Sequence, residues 1–332
     1  MKITVDAMGG DYAPVEIVRG AIDAISLGFA REIILVGNPD LIKNELKKHK
    51  KDLPIEIYPS DSVIGMEESP VSALRTKPNS SIAASYSLIR KKIAGSVVSA
   101  GNTGASFIAG LTILGRLKGI DRPAIASPIP TKNGVCILID VGANVDSKPE
   151  HLFQFGVMGR VYASEVLRIK NPRVGILNIG EEEGKGNRLT DKASILFSKG
   201  NFNFCGNIEG GDILKGKADV VVCDGFVGNS LLKFGEGVAE FIVDYIRNGN
   251  FINKCGLLFA KGLFKRLLKK IDYSEYGGAP LLGIRGVSII CHGKSKRKAI
   301  ANAIRVAQES ISHHINEKIE EILLDNEKGK DF

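Results

Sequence analysis

Cysteine is scarce in this chain and never closely spaced. Cys136, Cys205, Cys223, Cys255 and Cys291 are the five in 332 residues, and no two form a CxxC pair. That excludes a disulfide framework and zinc-finger spacing, and it predicts a reducing, cytoplasmic setting. Long apolar runs are lacking too. The longest uncharged stretch, Ile93–Gly115, spans 23 residues but contains five Gly and six Ser, Thr or Asn, too polar for a bilayer span. Met1 and Lys2 run straight into the strand-like Ile3–Val5, so no signal peptide is expected.

Several chemical signatures are also missing. No GxGxxG follows the first strand-like run, which argues against a nicotinamide dehydrogenase. The stretch Gly180–Gly186 resembles a P-loop but has three residues between its first two glycines instead of four. It also has Gly186 where a hydroxyl would hold Mg²⁺. There is no GxSxG elbow and no HExxH. His313 and His314 are adjacent and cannot share a helix face, so they make a poor metal pair. No metal and no organic cofactor is expected.

What the chain does have is glycine, 38 residues, well above the average of about 7%. The glycines follow short β-branched runs. Strands are predicted at Lys2–Val5, Ile33–Val36, Pro54–Tyr58, Ser96–Ser99, Val135–Ile139, Val174–Leu177, Asn203–Ile208, Val220–Val222 and Val287–Ile290. Most are followed by Gly, Asn or Asp. Near-continuous apolar strands with helices between them predict a mostly parallel sheet covered on both faces. Ligands on such sheets bind outside the strands' carboxyl ends, so the chemistry is expected on several turns at one sheet edge. A closing helix is expected from Ser295, with Ile300, Ile304, Ala307, Ile311, Ile315, Ile319 and Ile322 on one stripe.

The turns suit anions. Gly101–Gly104 and Gly228–Ser230 each offer backbone N–H groups at a helix start, and Lys185 follows three glutamates between glycines as a mobile cation. Arg75 and Lys77 form a basic patch before Ser80 and Ser81, one of which caps the next helix. His292, at a strand end, is a candidate acid–base group. Cys291 beside it points to the opposite face of the strand, so the two do not form a nucleophilic pair.

Net charge is +8, and it is concentrated. Residues 247–300 hold twelve Lys or Arg and two acids. No nucleic-acid-reading module accompanies them, so an acidic protein or an anionic membrane is the better partner. Within this segment, Leu257, Phe259, Ala260, Leu263, Phe264, Leu267, Leu268 and Ile271 share one helical arc. Lys261, Lys265, Arg266, Lys269 and Lys270 take the other. Such a helix suits a membrane interface or burial against a subunit partner.

As an ordered set, these turns resemble the bacterial phosphate acyltransferase (PlsX) family, the acyl-carrier-protein:phosphate acyltransferases. The matching stretches are Asp6–Asp11, Ser69–Ser81, Ser99–Ala105, Asp140–Asn144, Glu181–Asn187, Asn207–Gly210, Asp224–Asn229 and His292–Gly293. The resemblance implies an α/β fold, a three-layer α/β/α Rossmann-like sandwich of the isocitrate-dehydrogenase and phosphotransacetylase kind. It would be one catalytic domain over 1–332, with 247–275 a basic amphipathic excursion. The implied reaction is fatty acyl-carrier protein plus phosphate giving acyl phosphate plus free carrier, for phospholipid synthesis. The implied state is a homodimer, cytoplasmic and peripheral to the membrane, with a glycerol-3-phosphate acyltransferase taking the product.

On this footing, catalysis is expected at Lys185, Asn229 and His292. Substrate binding is expected at Asp6, Gly9, Gly10, Arg75, Lys77, Asn102, Thr103, Gly104, Asp140, Asn144 and Gly228. Carrier-protein or membrane contact is expected at Lys261, Leu263, Lys265, Arg266, Leu267 and Lys269. A small-acyl phosphotransacetylase, an NAD-dependent dehydrogenase of the same fold, and a non-enzymatic lipid or carrier-protein binding module are the alternatives.

Overall fold

The computed structural model describes residues 1–49, 53–247 and 273–328. Among these residues, eleven strands form one sheet: β1 (Lys2–Asp6), β2 (Ile33–Gly37), β3 (Ile55–Pro59), β4 (Ala94–Ser99), β5 (Ala124–Thr131), β6 (Gly134–Ile139), β7 (Arg173–Leu177), β8 (Asn203–Ile208), β9 (Val220–Val222), β10 (Ala279–Leu282) and β11 (Val287–Ile290). The helices are α1 (Val15–Ser26), α2 (Pro39–Leu46), α3 (Pro70–Thr76), α4 (Ser81–Arg90), α5 (Thr103–Ala109), α6 (Pro149–Glu165), α7 (Arg188–Lys199), α8 (Gly210–Lys215), α9 (Gly225–Arg247), α10 (Arg297–Ser312) and α11 (Ile315–Lys328). A π-helical turn, Gly110–Leu114, extends α5.

Strand alternation sorts the core into layers. Ile137 and Ile139 of β6 point to one face, with Val98, Val220, Val222 and Ile289. There they meet α1, α6 and α10 through Ile17, Phe155 and Ile304. Cys136 and Leu138 point to the other face, with Val97, Val221 and Ile290, and meet α4, α5 and α8 through Tyr86, Ala105 and Ile213. Helices therefore cover both faces, as expected from the doubly apolar strands. The packing is close: a side chain on Gly20 of α1 would begin 2.6 Å from Ile300 of α10.

Strand order is β3-β2-β1-β4-β11-β10-β5-β6-β9-β7-β8. Parallel pairing holds from β3 to β11 and again from β6 to β8. Between them, β11–β10, β10–β5 and β5–β6 all pair antiparallel. An odd number of reversals makes the two parallel sets run in opposite directions. Their carboxyl ends therefore lie at opposite sheet edges, which corrects the expectation of one shared edge.

The sequence hid β5 and β10 because both contain proline. Pro128 and Pro130 lie in the part of β5 paired with β6, beyond the reach of β10, which meets β5 only at Ala124 and Ile125. With a neighbour on one side only, that stretch presents its two prolines, two residues apart, to the open edge. A missing N–H costs little there.

The single closing helix is also corrected. It breaks at His313 and His314 into α10 and α11, with His314 in the left-handed region at φ 52°. The apolar stripe continues across the break, with Ile304, Ile315 and Ile319 all in the core.

Candidate active site

Four adjacent strand ends, those of β6, β9, β7 and β8, build one loop cluster. Asp140, at the end of β6, is fully buried. Its Oδ1 accepts from the backbone N–H groups of Ile125 at 3.0 Å and Ala143 at 3.1 Å. Its Oδ2 accepts from the N–H of Asn144 at 2.7 Å and from Asn144 Nδ2 at 2.9 Å. Asn144 Nδ2 also donates to Pro123 O at 2.8 Å. Burial raises the Asp140 carboxyl above the usual range, and these donors pull it back.

Helix α9 lies against that loop, and only glycine allows it. A side chain on Gly225 would begin 2.6 Å from Asn144 O, and one on Gly228 only 1.9 Å from Asp140 O. The helix begins at Gly225, three residues before the start expected from the sequence. Asp224 caps it, its Oδ1 accepting from Phe226 and Val227 N–H at 3.0 Å each. The Gly228 N–H is bonded to Asp224 O at 2.9 Å, so Gly228 provides close approach rather than a free donor. One residue on, Asn229 is exposed beside Gly142, where an added Cβ would lie 3.5 Å from Asn229 Cβ.

The neighbouring β7 leads to Lys185, which is exposed. Glycines flank it in the left-handed region, Gly184 at φ 80° and Gly186 at φ 118°. The sequence suggested a mobile cation, but the backbone here is tied. Asn178 Nδ2 donates to the Lys185 carbonyl at 2.7 Å, and Asn207 Nδ2 donates to the Glu182 carbonyl at 3.0 Å. Asn187 caps α7 through the N–H groups of Leu189 and Thr190. Asn207 stands in one of the matching stretches and Asn178 directly follows the predicted strand Val174–Leu177, but a strand-end asparagine reads as an ordinary turn residue until its partner is known.

At the opposite edge, Asp6 ends β1 and is 2% exposed. It accepts from Ser99 Oγ at 2.8 Å and from Met8 N–H at 3.2 Å. Burial raises its carboxyl, while Ser81, Ser99 and backbone donors oppose the rise. Gly9 lies so near Gly101 that an added Cβ would sit 2.7 Å from Gly101 N, and Gly10 turns at φ 100°. Asn102 caps α5 by accepting from Ala105 N–H at 3.0 Å. Its Nδ2 reaches the carbonyls of Gly65, Met66 and Glu68 at 3.0–3.1 Å. Thr103 is exposed, and Gly104 backs onto Pro70, whose Cγ would lie 2.5 Å from an added Cβ.

Lys77 donates to Val63 O at 2.9 Å and pairs with Glu68 at 2.6 Å. Arg75 is exposed with no ion pair among the described residues. Ser80 occupies the N-cap position of α4 but makes no capping bond. Its Oγ is buried without a partner, contrary to the expected cap. His292 is exposed and accepts at Nδ1 from the Lys294 N–H at 3.1 Å. Cys291 is buried with its thiol pushed up to about 12, so it is no nucleophile beside His292.

Expected substrate contacts thus divide. Asp6, Asn102, Asp140 and Asn144 are at most 7% exposed, and their side chains are committed to protein groups. Those bonds shape the loops. Lys185 and Asn229 come out on neighbouring strand ends, while His292 stands at the other edge with Gly9 and Gly10. Lys261, Leu263, Lys265, Arg266, Leu267 and Lys269 lie outside the described residues. Folding also gathers Glu181, Glu209 and Asp212, whose carboxylates lie within 4.8 Å of one another. Lys217 pairs with both Glu181 and Asp212.

A single sheet of two opposed parallel sets with helices on both faces defines an α/β fold. A phosphotransacetylase from Streptococcus pyogenes has a similar fold, with a TM-score of 0.62 over 94% of each chain, at 18% identity. The family described as fatty acid synthesis protein matches residues 1–318. The phosphate acyltransferases of Desulforamulus reducens and Pelotomaculum thermopropionicum are 49% and 50% identical to this chain. The alignments cover 99% and 96% of it and 99% and 94% of theirs. The chain belongs to this family of fatty acid synthesis proteins, whose enzyme class is the acyltransferase expected from the turns.

Proposed function

We propose that the protein transfers a fatty acyl group from acyl carrier protein to inorganic phosphate, releasing acyl phosphate for phospholipid synthesis. The observation that carries this reading is the emergence of Lys185 and Asn229 from adjacent strand ends of a phosphate acyltransferase family member. A phosphate oxygen attacks the thioester carbon, the carbonyl becomes an oxyanion, and its collapse expels the carrier thiolate, which takes up a proton. Phosphate is already a nucleophile and a thiolate a fair leaving group, so no covalent enzyme intermediate is needed. Lys185 holds the phosphate and Asn229 donates to the developing oxyanion.

The test is acyl phosphate formation by purified protein from long-chain acyl-carrier protein and phosphate. Turnover only with short acyl thioesters of coenzyme A would favour a small-acyl phosphotransacetylase. Hydride-linked absorbance change with a nicotinamide cofactor would favour a dehydrogenase, and the absence of any turnover a binding module. Activity is expected to survive exhaustive chelation; loss restored by one specific metal would overturn the metal-free route.

Two partners extend the proposal. A second copy covers α9, whose exposed Val227, Phe234, Val238, Phe241 and Tyr245 recur at helical spacing as one stripe. The basic amphipathic segment meets anionic lipid or the acidic carrier, through Lys261, Lys265, Arg266 and Lys269 with Leu263 and Leu267 on the apolar side. The attachment proposed is peripheral and the location proposed is the cytoplasm; no helix among the described residues is long and apolar enough to cross a membrane. Flotation with anionic vesicles at low salt tests it, and failure to float removes it.

A further inference from the structure

We propose that Asn178 is the positioning residue for Lys185, acting through the lysine's own carbonyl; this rests on the role given to Lys185 above. Asn178 is the first residue after β7, and its own N–H still bonds to Ile208 O of β8 at 2.9 Å. Its main chain is therefore fixed by the sheet. The side chain reaches seven residues ahead to donate from Nδ2 to Lys185 O at 2.7 Å, while its Oδ1 accepts from the Ile179 N–H at 2.9 Å. One carboxamide thus joins the rigid strand end to the residue that carries the cation.

The surroundings are built around that carboxamide. At Gly186, an added Cβ would begin 2.4 Å from Asn178 Oδ1, 2.7 Å from its Nδ2 and 2.3 Å from Thr190 Oγ1. Residue 186 is also at φ 118°, so both space and backbone demand glycine there. On the other side, the stem of Lys185 lies over Gly180, with its Cγ 3.3 Å from where a Cβ would be. Asn207, from the next strand, ties Glu182 O in the same loop. The loop's backbone is held by side chains from two strands. The Lys185 ammonium has no ion pair among the described residues. A cation with a held base and a free head is preorganised for an anion, and misplacement by about 1 Å can cost up to ~10²-fold in rate.

The experiment is a double-mutant cycle on phosphate kinetics. Asn178→Ala is expected to lower kcat/KM for phosphate roughly tenfold while the KM for the acyl donor stays unchanged. Added to Lys185→Ala, it should cost nothing further, because its effect runs through that lysine. Asn178→Leu is close in size, adds no charge beside Lys185 and removes the donor to the Lys185 carbonyl. It should show a loss of the same kind and serves as the test variant if the alanine form melts early. Wild-type phosphate kinetics in both Asn178 variants, with Lys185→Ala impaired, would overturn the positioning role. So would a loss that multiplies that of Lys185→Ala, or one that falls equally on the acyl donor. Wild-type rates in Lys185→Ala would instead remove the functional reading beneath the proposal.

Discussion

Asp6 and Asp140 occupy equivalent places in the two halves of the sheet. Each is a buried aspartate at the carboxyl end of the first strand of a parallel set, and each binds loop N–H groups. Around each, glycine lets a second loop approach: Gly9 against Gly101, and Gly225 and Gly228 against the Asp140 loop. The halves then diverge. In the first, Asn102 and Lys77 spend their side chains holding the stretch from Val63 to Glu68. In the second, asparagines hold backbone, and the cation and carboxamide of Lys185 and Asn229 stay exposed. One set of residue types is spent on loop contacts at the first edge, where His292, Thr103 and Arg75 stay exposed beside it, and is left open at the second.

The two aspartates give the sharpest way to break that comparison. Asp140→Ala strips acceptors from three backbone N–H groups and from Asn144 Nδ2. At ~1–3 kcal/mol for each buried donor left unmade, a loss of about 3 kcal/mol or more is expected. Asp6→Ala frees the Met8 and Gly9 N–H groups and the Ser81 and Ser99 hydroxyls; the hydroxyls can turn to other acceptors, so the cost should be smaller, about 1–2 kcal/mol. Chemical denaturation measures both. Equal losses would mean the two pins are interchangeable, and a larger loss at Asp6 would reverse the comparison.

Next comes the contrast between the two exposed groups and their committed counterpart. Lys185→Ala and Asn229→Ala should each lower turnover by ~10²-fold with little change in Tm. Asn102→Ala should do the opposite. It removes the α5 cap, typically ~1 kcal/mol, and orphans three carbonyl contacts, so Tm falls while turnover falls less than in the other two. A large loss of turnover in Asn102→Ala without loss of stability would show that the first edge is also a working one.

Much of this was legible before the fold. Nine of the strands were marked by short β-branched runs, most of them followed by Gly, Asn or Asp, because the central strands are buried on both faces and leave that signature. The reversal was not legible. It depends on β5 and β10, whose prolines sit where the ladder has an open side, and on pairing order, which no local pattern encodes. The same reversal separated His292, Gly9 and Gly10 from Lys185 and Asn229, although all follow strands in sequence. Residue type identified the polar groups at the turns. Only hydrogen-bond partners distinguished Asn229, left exposed, from Asn102, fully engaged.

The smallest expected effect concerns the flank of the open edge, where Asp212 of α8 meets Lys215 at 2.9 Å and Lys217 at 3.0 Å. The hydrogen bond from Lys215, then that from Lys217, hold its carboxyl down at about 2 against an ordinary 3.8. A carboxyl depressed by folding stabilises the folded state fully above its unfolded pKa, and that contribution fades as pH falls through the folded one. The wild-type protein should therefore lose stability between about pH 4 and pH 2 through this group. Asp6 and Asp140, raised by burial, titrate in the opposite sense, since their protonation favours the folded state. Asp212→Asn removes only the first contribution. Its stability should lie below wild type at neutral pH, and the two curves should converge as pH approaches 2. Curves that stay parallel across this window would mean that the lysines do not hold Asp212 ionised, and that this flank of the open edge is held by packing alone.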